Sequence, residues 1–242
     1  MFIKHQTWIA VLFAIVFPSF VTWVYFILFD GKSAVVGGVC KAIQFAFPAC
    51  WVFLWMKIPL REAGLPKTDN GLPAWPTRRN VLSGVGLGIA IVAAMFAYYG
   101  FAITGSDFTN LSIKIASRVN RLSLDNPLGY AILGGFYAVV HSFLEEYYFR
   151  WFVFGRLREL LRFAPAAIVS GLAFMAHHVI VLYVFLGPSL HTAFLSLCIA
   201  AGGFIWAWQY ERSRSLLGPW ISHMIVDTGI FLVGYHMLFV AS

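Results

Sequence analysis

Three groups of ionisable side chains stand inside long apolar runs of this 242-residue chain. Charge in such a setting is expensive and commonly marks a site or a path. The first group is His141, Glu145, Glu146 and Arg150, in HSFLEEYYFRWF. The second is His177 and His178, in LAFMAHHVIVL, and the third His223 and Asp227, in WISHMIVDTGI. A carboxylate and a histidine that together polarise one water can attack a carbonyl without a covalent intermediate. A second histidine, with a hydrogen-bond donor beside it, can hold the resulting oxyanion. No HExxH motif occurs and no Ser-His-Asp order is evident. Hydrolysis by activated water therefore fits these residues better than nucleophilic catalysis.

Helical spacing sorts the roles. Glu146 and Arg150 are four residues apart, acid before base, the favourable order for an ion pair. Glu145 points about 100° away, shares its face with His141, and is left free to act. His177 and His178 are adjacent, so at most one is expected to join a site on that helix. His223 and Asp227 are one turn apart and share a face. At 1.5 Å per residue from the expected helix ends, Glu145 lies about 15 Å deep, His178 about 20 Å, and His223 and Asp227 about 12 and 18 Å. Each group alone has a plainer account, as a charged helix end or a hydrogen-bonded core histidine. Two facts oppose it: the run Trp151–Phe154 continues past the charges, and all three groups converge on one depth.

The elements that position these residues follow from composition. The chain is 60% hydrophobic and 11% charged, with a mean hydropathy of +0.79. Soluble domains run at roughly 45–50% apolar and about 25% charged. A soluble enzyme, a disordered chain and a secreted disulfide scaffold are excluded. The three cysteines, Cys40, Cys50 and Cys198, show no metal-type spacing. Apolar runs fall near 8–29, 35–56, 80–102, 127–155, 165–186, 189–209 and 215–239, each long enough for a membrane helix of about 20 residues. The first is too long for a cleaved signal peptide and lacks a small-residue cleavage site. The expectation is an all-α polytopic membrane helix bundle forming one membrane domain over 1–242. It has seven transmembrane helices, or eight if the 127–155 run or the 103–126 segment breaks differently. Residues 57–79, with Pro59, Pro66, Pro73 and Pro76, and residues 103–126 read as loops or interfacial segments. Gly84, Gly86 and Gly88 open a membrane run, so they read as close helix packing rather than a nucleotide loop. Lys41 stands alone in the second run, and His5, His191 and His236 lie near span ends; none is assigned a role.

The formal charge of +7 comes from basic residues spread between the runs, which points to membrane orientation rather than nucleic acid. With the N-terminus inside, twelve Lys and Arg fall on the cytoplasmic side and four, Lys32, Lys114, Arg118 and Arg121, outside. The three groups then lie below the cytosolic face.

Glu145-Glu146-x-x-x-Arg150, Phe174-x-x-x-His178 and His223-x-x-x-Asp227 occur in order, each in an apolar segment. Over about residues 127–239 the chain resembles the CPBP family, also called the Abi or type II CAAX prenyl endopeptidase family of intramembrane proteases. The resemblance implies a catalytic helical core over 127–239 and a cavity open to the cytosol. It implies that Glu145 and His178 activate the water, that His223 and residue 227 line the oxyanion site, and that Glu146, Arg150 and Phe174 support them. At 227 the eukaryotic pattern has Asn where Asp stands here; related prokaryotic motifs carry Asp. Eukaryotic members cleave C-terminal tripeptides from prenylated proteins, and prokaryotic relatives are associated with peptide maturation, bacteriocin self-immunity and signalling. The implied partners are a peptide or protein substrate, lipidated or not, and the lipid bilayer. The implied location is a multi-pass position in the cell membrane of a prokaryote or the endoplasmic reticulum of a eukaryote.

No metal or other cofactor is expected. A zinc protease using Glu145, His178 and His223 is the alternative chemistry, since three such ligands and a water make a catalytic zinc site. A peptide-binding scaffold or immunity protein that does not cut is the alternative outside enzymes. A proton-coupled transporter is a weaker one, because no repeated half is detectable. The orientation is checked by cysteine labelling: cysteines placed at Thr68 and Asn70 are expected to react only from the cytoplasmic side, and labelling from outside would invert the topology.

Overall fold

Every apolar run of the sequence is helical in the computed structural model, which describes residues 2–59, 78–103, 105–121 and 124–241. Helix α1 covers Phe2–Trp23 and continues through a π-helical turn, Val24–Leu28; α2 covers Ala34–Ala49 and ends likewise, Cys50–Trp55. Helices α3 (Arg78–Ala102) and α4 (Gly105–Arg121) follow. Pro127–Leu160 forms one long helix, α5, and α6 (Phe163–Leu186), α7 (Leu190–Ser213) and α8 (Leu217–Phe239) complete the chain. All but α4 are long and apolar enough to cross a membrane. Among the described residues the protein is an all-α membrane helix bundle with seven helices able to span a bilayer.

Local chemistry sets several boundaries. Asn126 caps α5 by accepting the Gly129 N–H at 2.8 Å, with Pro127 at the first helical position, where its missing N–H is harmless. Ser189 caps α7 in the same manner through the Thr192 N–H. Gly155 does not end α5 as the apolar pattern suggests; the helix runs on to Leu160 and stops where Leu161 turns extended. A mid-helix glycine costs only about 1 kcal/mol, and the following turn is held by Leu157, which is wholly buried. Glu145 therefore lies about 22 Å from this helix end rather than 15 Å.

The polar stretch 103–126, expected as a loop or interfacial segment, is largely helix. α4 is amphipathic, and Arg118 and Arg121 both donate to Asp30 in the turn between α1 and α2. A hydrogen bond from Lys32 and the charges of those two arginines hold the Asp30 carboxyl below its ordinary range. Of the Pro-rich 57–79 segment, residues 60–77 lie outside the described residues, and Arg78 and Arg79 already belong to α3.

The core is built around α5. Tyr148, Phe149, Phe152, Val153, Phe154 and Leu157 are all fully buried on it. The Tyr148 hydroxyl donates to the Ala14 carbonyl of α1 at 3.0 Å, and the Ser170 hydroxyl of α6 donates to the Phe149 carbonyl at 3.2 Å. Two seams of small residues bring the remaining spans together. A methyl added at Gly84 of α3 would meet the Gly218 carbonyl of α8 at 2.5 Å, and one at Gly88 would meet Ile225 at 2.9 Å. Gly86 faces open space, so only two of that glycine triplet serve the packing. Between α6 and α7, a methyl at Gly203 would sit 2.9 Å from the Gly171 Cα. Backbones approach this closely only where side chains are absent.

Adjacent glycines on α7 supply a controlled test. Gly203→Ala is expected to destabilise the protein by about 1–3 kcal/mol through overpacking. Gly202→Ala, whose methyl would approach nothing closer than Trp206 at 4.0 Å, should be neutral or slightly stabilising. Thermal unfolding in detergent reads both; equal effects would contradict the seam.

Candidate active site

The middle of α5 carries the carboxylates. Two π-helical stretches, Tyr137–His141 and Tyr147–Phe154, flank a short α-helical turn, Ser142–Glu146. Such widened turns are rare and cluster at functional sites. Here they set the directions of His141, Glu145, Glu146 and Arg150 around the helix.

Glu145, only 2% exposed, is the point on which the histidines converge. Its Oε1 lies 3.3 Å from His141 Nε2, one turn back on α5, and 3.2 Å from His177 Nε2 on α6. Its Oε2 lies 3.8 Å from His223 Nε2 on α8. His178 is close too: one ligand atom each from Glu145, His177 and His178 falls within 4.8 Å of the others. The expectation that at most one of the two adjacent histidines joins the site is corrected. Their rings, 4.0 Å apart, straddle the side of α6 that faces α5, and an imidazole is long enough to reach from either position.

The histidines nevertheless differ. His178 Nδ1 donates to the Phe174 carbonyl at 2.8 Å, so the neutral ring presents Nε2 as a lone pair. His177 lies flat against Phe149, ring centroids 5.4 Å apart, and spends Nε2–H on Glu145. His178 is shaped as a base or ligand, His177 as a donor that fixes the carboxylate.

Glu146 and Arg150 lie behind this face, both fully buried. Arg150 Nε is 3.0 Å from Glu146 Oε2, as the spacing predicts. The other Glu146 oxygen accepts from His223 Nδ1 at 2.8 Å. The Arg150 guanidinium lies over the rings of Phe174, at 4.7 Å, and Trp206, at 5.2 Å. Trp206 also stacks on His223, centroids 4.4 Å apart at 16°, and donates through Nε1 to Ser222. His223 Nε2 then faces Asp227 Oδ1 at 3.5 Å as well as Glu145. All seven residues named by the motifs thus meet in one cluster. Two members are not evident from sequence: His177, which the adjacency argument discards, and Trp206, for which no sequence signal exists.

Residues 127–229 match the family model for type II CAAX prenyl endopeptidase, Rce1-like. The match covers less than half of the chain. The matched segment contains every member of the cluster and ends within α8, two residues past Asp227. No curated protein and no solved structure matches the chain.

The buried Glu146–Arg150 pair makes a stability prediction. Arg150→Met leaves Glu146 as a buried carboxylate with His223 alone and is expected to cost about 3–5 kcal/mol. Glu146→Gln with Arg150→Met removes both charges and should recover much of that loss. Thermal unfolding of the three purified proteins checks it; a double variant less stable than Arg150→Met would contradict it.

Proposed function

We propose that the protein is an intramembrane endopeptidase that hydrolyses a peptide bond near the membrane with a water activated by Glu145 and His178. The observation that carries this reading is the meeting of a buried carboxylate with the unprotonated nitrogen of a backbone-tethered histidine, within a protease-family domain. Water held between Glu145 and His178 Nε2 loses its proton to Glu145 as its oxygen attacks the scissile carbonyl carbon. The charge that develops on the carbonyl oxygen is met by His223. That ring is bonded through Nδ1 to Glu146 and faces Asp227 through Nε2, so carboxylates on both sides favour the imidazolium, a donor. An ionised Asp227 cannot itself donate to an oxyanion; its role here is to hold the charge and aim of His223. On collapse, the proton on Glu145 passes to the leaving amide nitrogen, giving a carboxylate and an amine. The site opens toward the cytosol, and the substrate is a peptide or protein held at the bilayer, with or without a lipid.

One observation favours a second reading, a zinc-dependent protease. Glu145 Oε1 and His177 Nε2 are 3.2 Å apart, close to the edge of about 3.3 Å that two ligands of a tetrahedral zinc span. The donor set that fits is Glu145, His177 and His178 rather than the set containing His223, which is held by Glu146. Bound there, zinc would polarise the water, and these three residues would fix it. Metal analysis of active protein and chelation separate the two readings.

The deciding experiment works with the substrate unidentified. Mass spectrometry of peptide termini in membranes from cells making the wild type should show at least one new end that is absent with Glu145→Gln. Identical termini would favour a peptide-binding scaffold instead. On the cleaved peptide, Asp227→Asn is expected to lose about 10²–10³ in rate, near the level of Asp227→Ala, because His223 loses its counter-charge. Full activity of Asp227→Ala would reduce that residue to packing.

A further inference from the structure

The two ends of the bundle treat their cations differently. Where α1 turns into α2, Lys32, Arg118 and Arg121 all reach Asp30, and Lys114 donates to the Phe185 carbonyl. At the opposite end, where α3 and α8 begin, Arg158 and Arg214 share Glu211, and Arg156 pairs with Glu159. Arg78, Arg79 and Arg212 are exposed at that same end, and among the described residues no carboxylate lies within ion-pair distance of them. Helix packing brings the three to one side of the bundle. The α3–α8 seam sets Gly84 against Gly218, and the Gln209 amide of α7 donates to the Ser83 carbonyl of α3 at 3.3 Å. Arg79 lies one turn before Ser83 and Arg212 about one turn after Gln209, both toward this end. Cations at the start of α3 also meet the positive end of its dipole, and its first turn holds no acid. The junction lacks the anion that its charges call for.

Two features say what carries that anion. The Arg212 guanidinium lies over the Trp208 ring at 4.8 Å, and this indole is 43% exposed on a membrane span. Such an amphipathic pair belongs at the level of lipid headgroups. Along α3, Leu82, Gly86 and Ile89 follow the arginines on one helical face. Leu82 and Ile89 are each 58% exposed, and a methyl at Gly86 would meet nothing within 4 Å. The one glycine of the triplet that the α3–α8 seam does not use thus opens a notch between two apolar side chains, directly below the cations. A free anion or an acidic peptide leaves such a notch empty; an acyl chain fills it. We propose that the junction of α3, α7 and α8 binds an anionic phospholipid of the adjoining leaflet. Its phosphate is held by Arg78, Arg79 and Arg212, and one of its acyl chains lies over Gly86. In the orientation expected from the sequence this is the cytosolic leaflet. The lipid site is separate from the Glu145 cluster and does not depend on what that cluster does.

The test offers the full chain two lipids at once. The protein is purified in detergent micelles carrying equal amounts of dioleoylphosphatidylglycerol and dioleoylphosphatidylcholine, and retained lipid is identified by native mass spectrometry. Each arginine beside an anionic headgroup is worth about fivefold, so wild type should retain phosphatidylglycerol over phosphatidylcholine by about tenfold or more. Glutamine at Arg78, Arg79 and Arg212 together should bring the two lipids to parity, whereas Arg162→Gln, at another exposed arginine of that end, should keep the preference. Gly86→Leu should lower retained phosphatidylglycerol severalfold with every arginine in place. Excess inorganic phosphate should not displace the lipid. As a second readout, phosphatidylglycerol should raise the unfolding temperature of wild type and leave that of the triple variant unchanged. No preference in wild type, an unaffected triple variant or an unaffected Gly86→Leu would overturn the proposal. So would an equal loss in Arg162→Gln, which would mean diffuse attraction to a basic surface, and displacement by phosphate, which would mean a bare-anion site.

Discussion

The fully buried Glu146 carboxylate, held between Arg150 and His223, is the interaction on which the rest of the site depends. In a low-dielectric interior an unpaired charge is far costlier than any single packing defect. Glu146 and Arg150 come from α5, His223 from α8, and the guanidinium is flanked by Phe174 of α6 and Trp206 of α7. One ionic centre with two aromatic walls thus ties four helices together at one depth. Glu145, the preceding residue on α5, is aimed as a consequence: once Glu146 faces Arg150 and His223, its neighbour must turn toward His141, His177 and His178.

Packing further out serves the same end. The glycine seam between α3 and α8 sets how closely the helix bearing His223 and Asp227 can be approached from behind. The seam between α6 and α7 does so for the pair that carries His178, Phe174 and Trp206. The π-helical stretches on either side of Ser142–Glu146 keep α5 continuous while changing the angular spacing of its polar residues. Glu145 and Glu146 themselves stay in the α-helical turn, about 100° apart, while the widened turns offset His141 on one side and Arg150 on the other.

Much of this is legible in the sequence. Seven apolar runs give seven spans because each segment in hydrocarbon must satisfy its own backbone, so hydropathy alone locates helices. The Glu146–Arg150 pair follows from i, i+4 spacing. Three features are not legible, for distinct reasons. Gly155 reads as a helix end, yet tertiary burial of Leu157 outweighs its small propensity penalty. The stretch 103–126 reads as a loop or interfacial segment, and its charges hide an amphipathic helix whose C-terminal end is pinned by Asp30, a residue far away in the chain. Ideal helical geometry discards His177, but side-chain length lets both adjacent histidines reach a carboxylate lying between them. Adjacency arguments of that kind fix Cβ directions, not the reach of a ring.

The central claim is that Glu145 and His178 act on one water as a unit. A double-mutant cycle measures this directly, with rates on a cleaved peptide for wild type, Glu145→Gln, His178→Asn and the pair. Residues that share one catalytic step are grossly non-additive. The account predicts that the double variant is scarcely slower than the worse single variant. Independent, additive losses, with the double falling by the product of the two single effects, would contradict it.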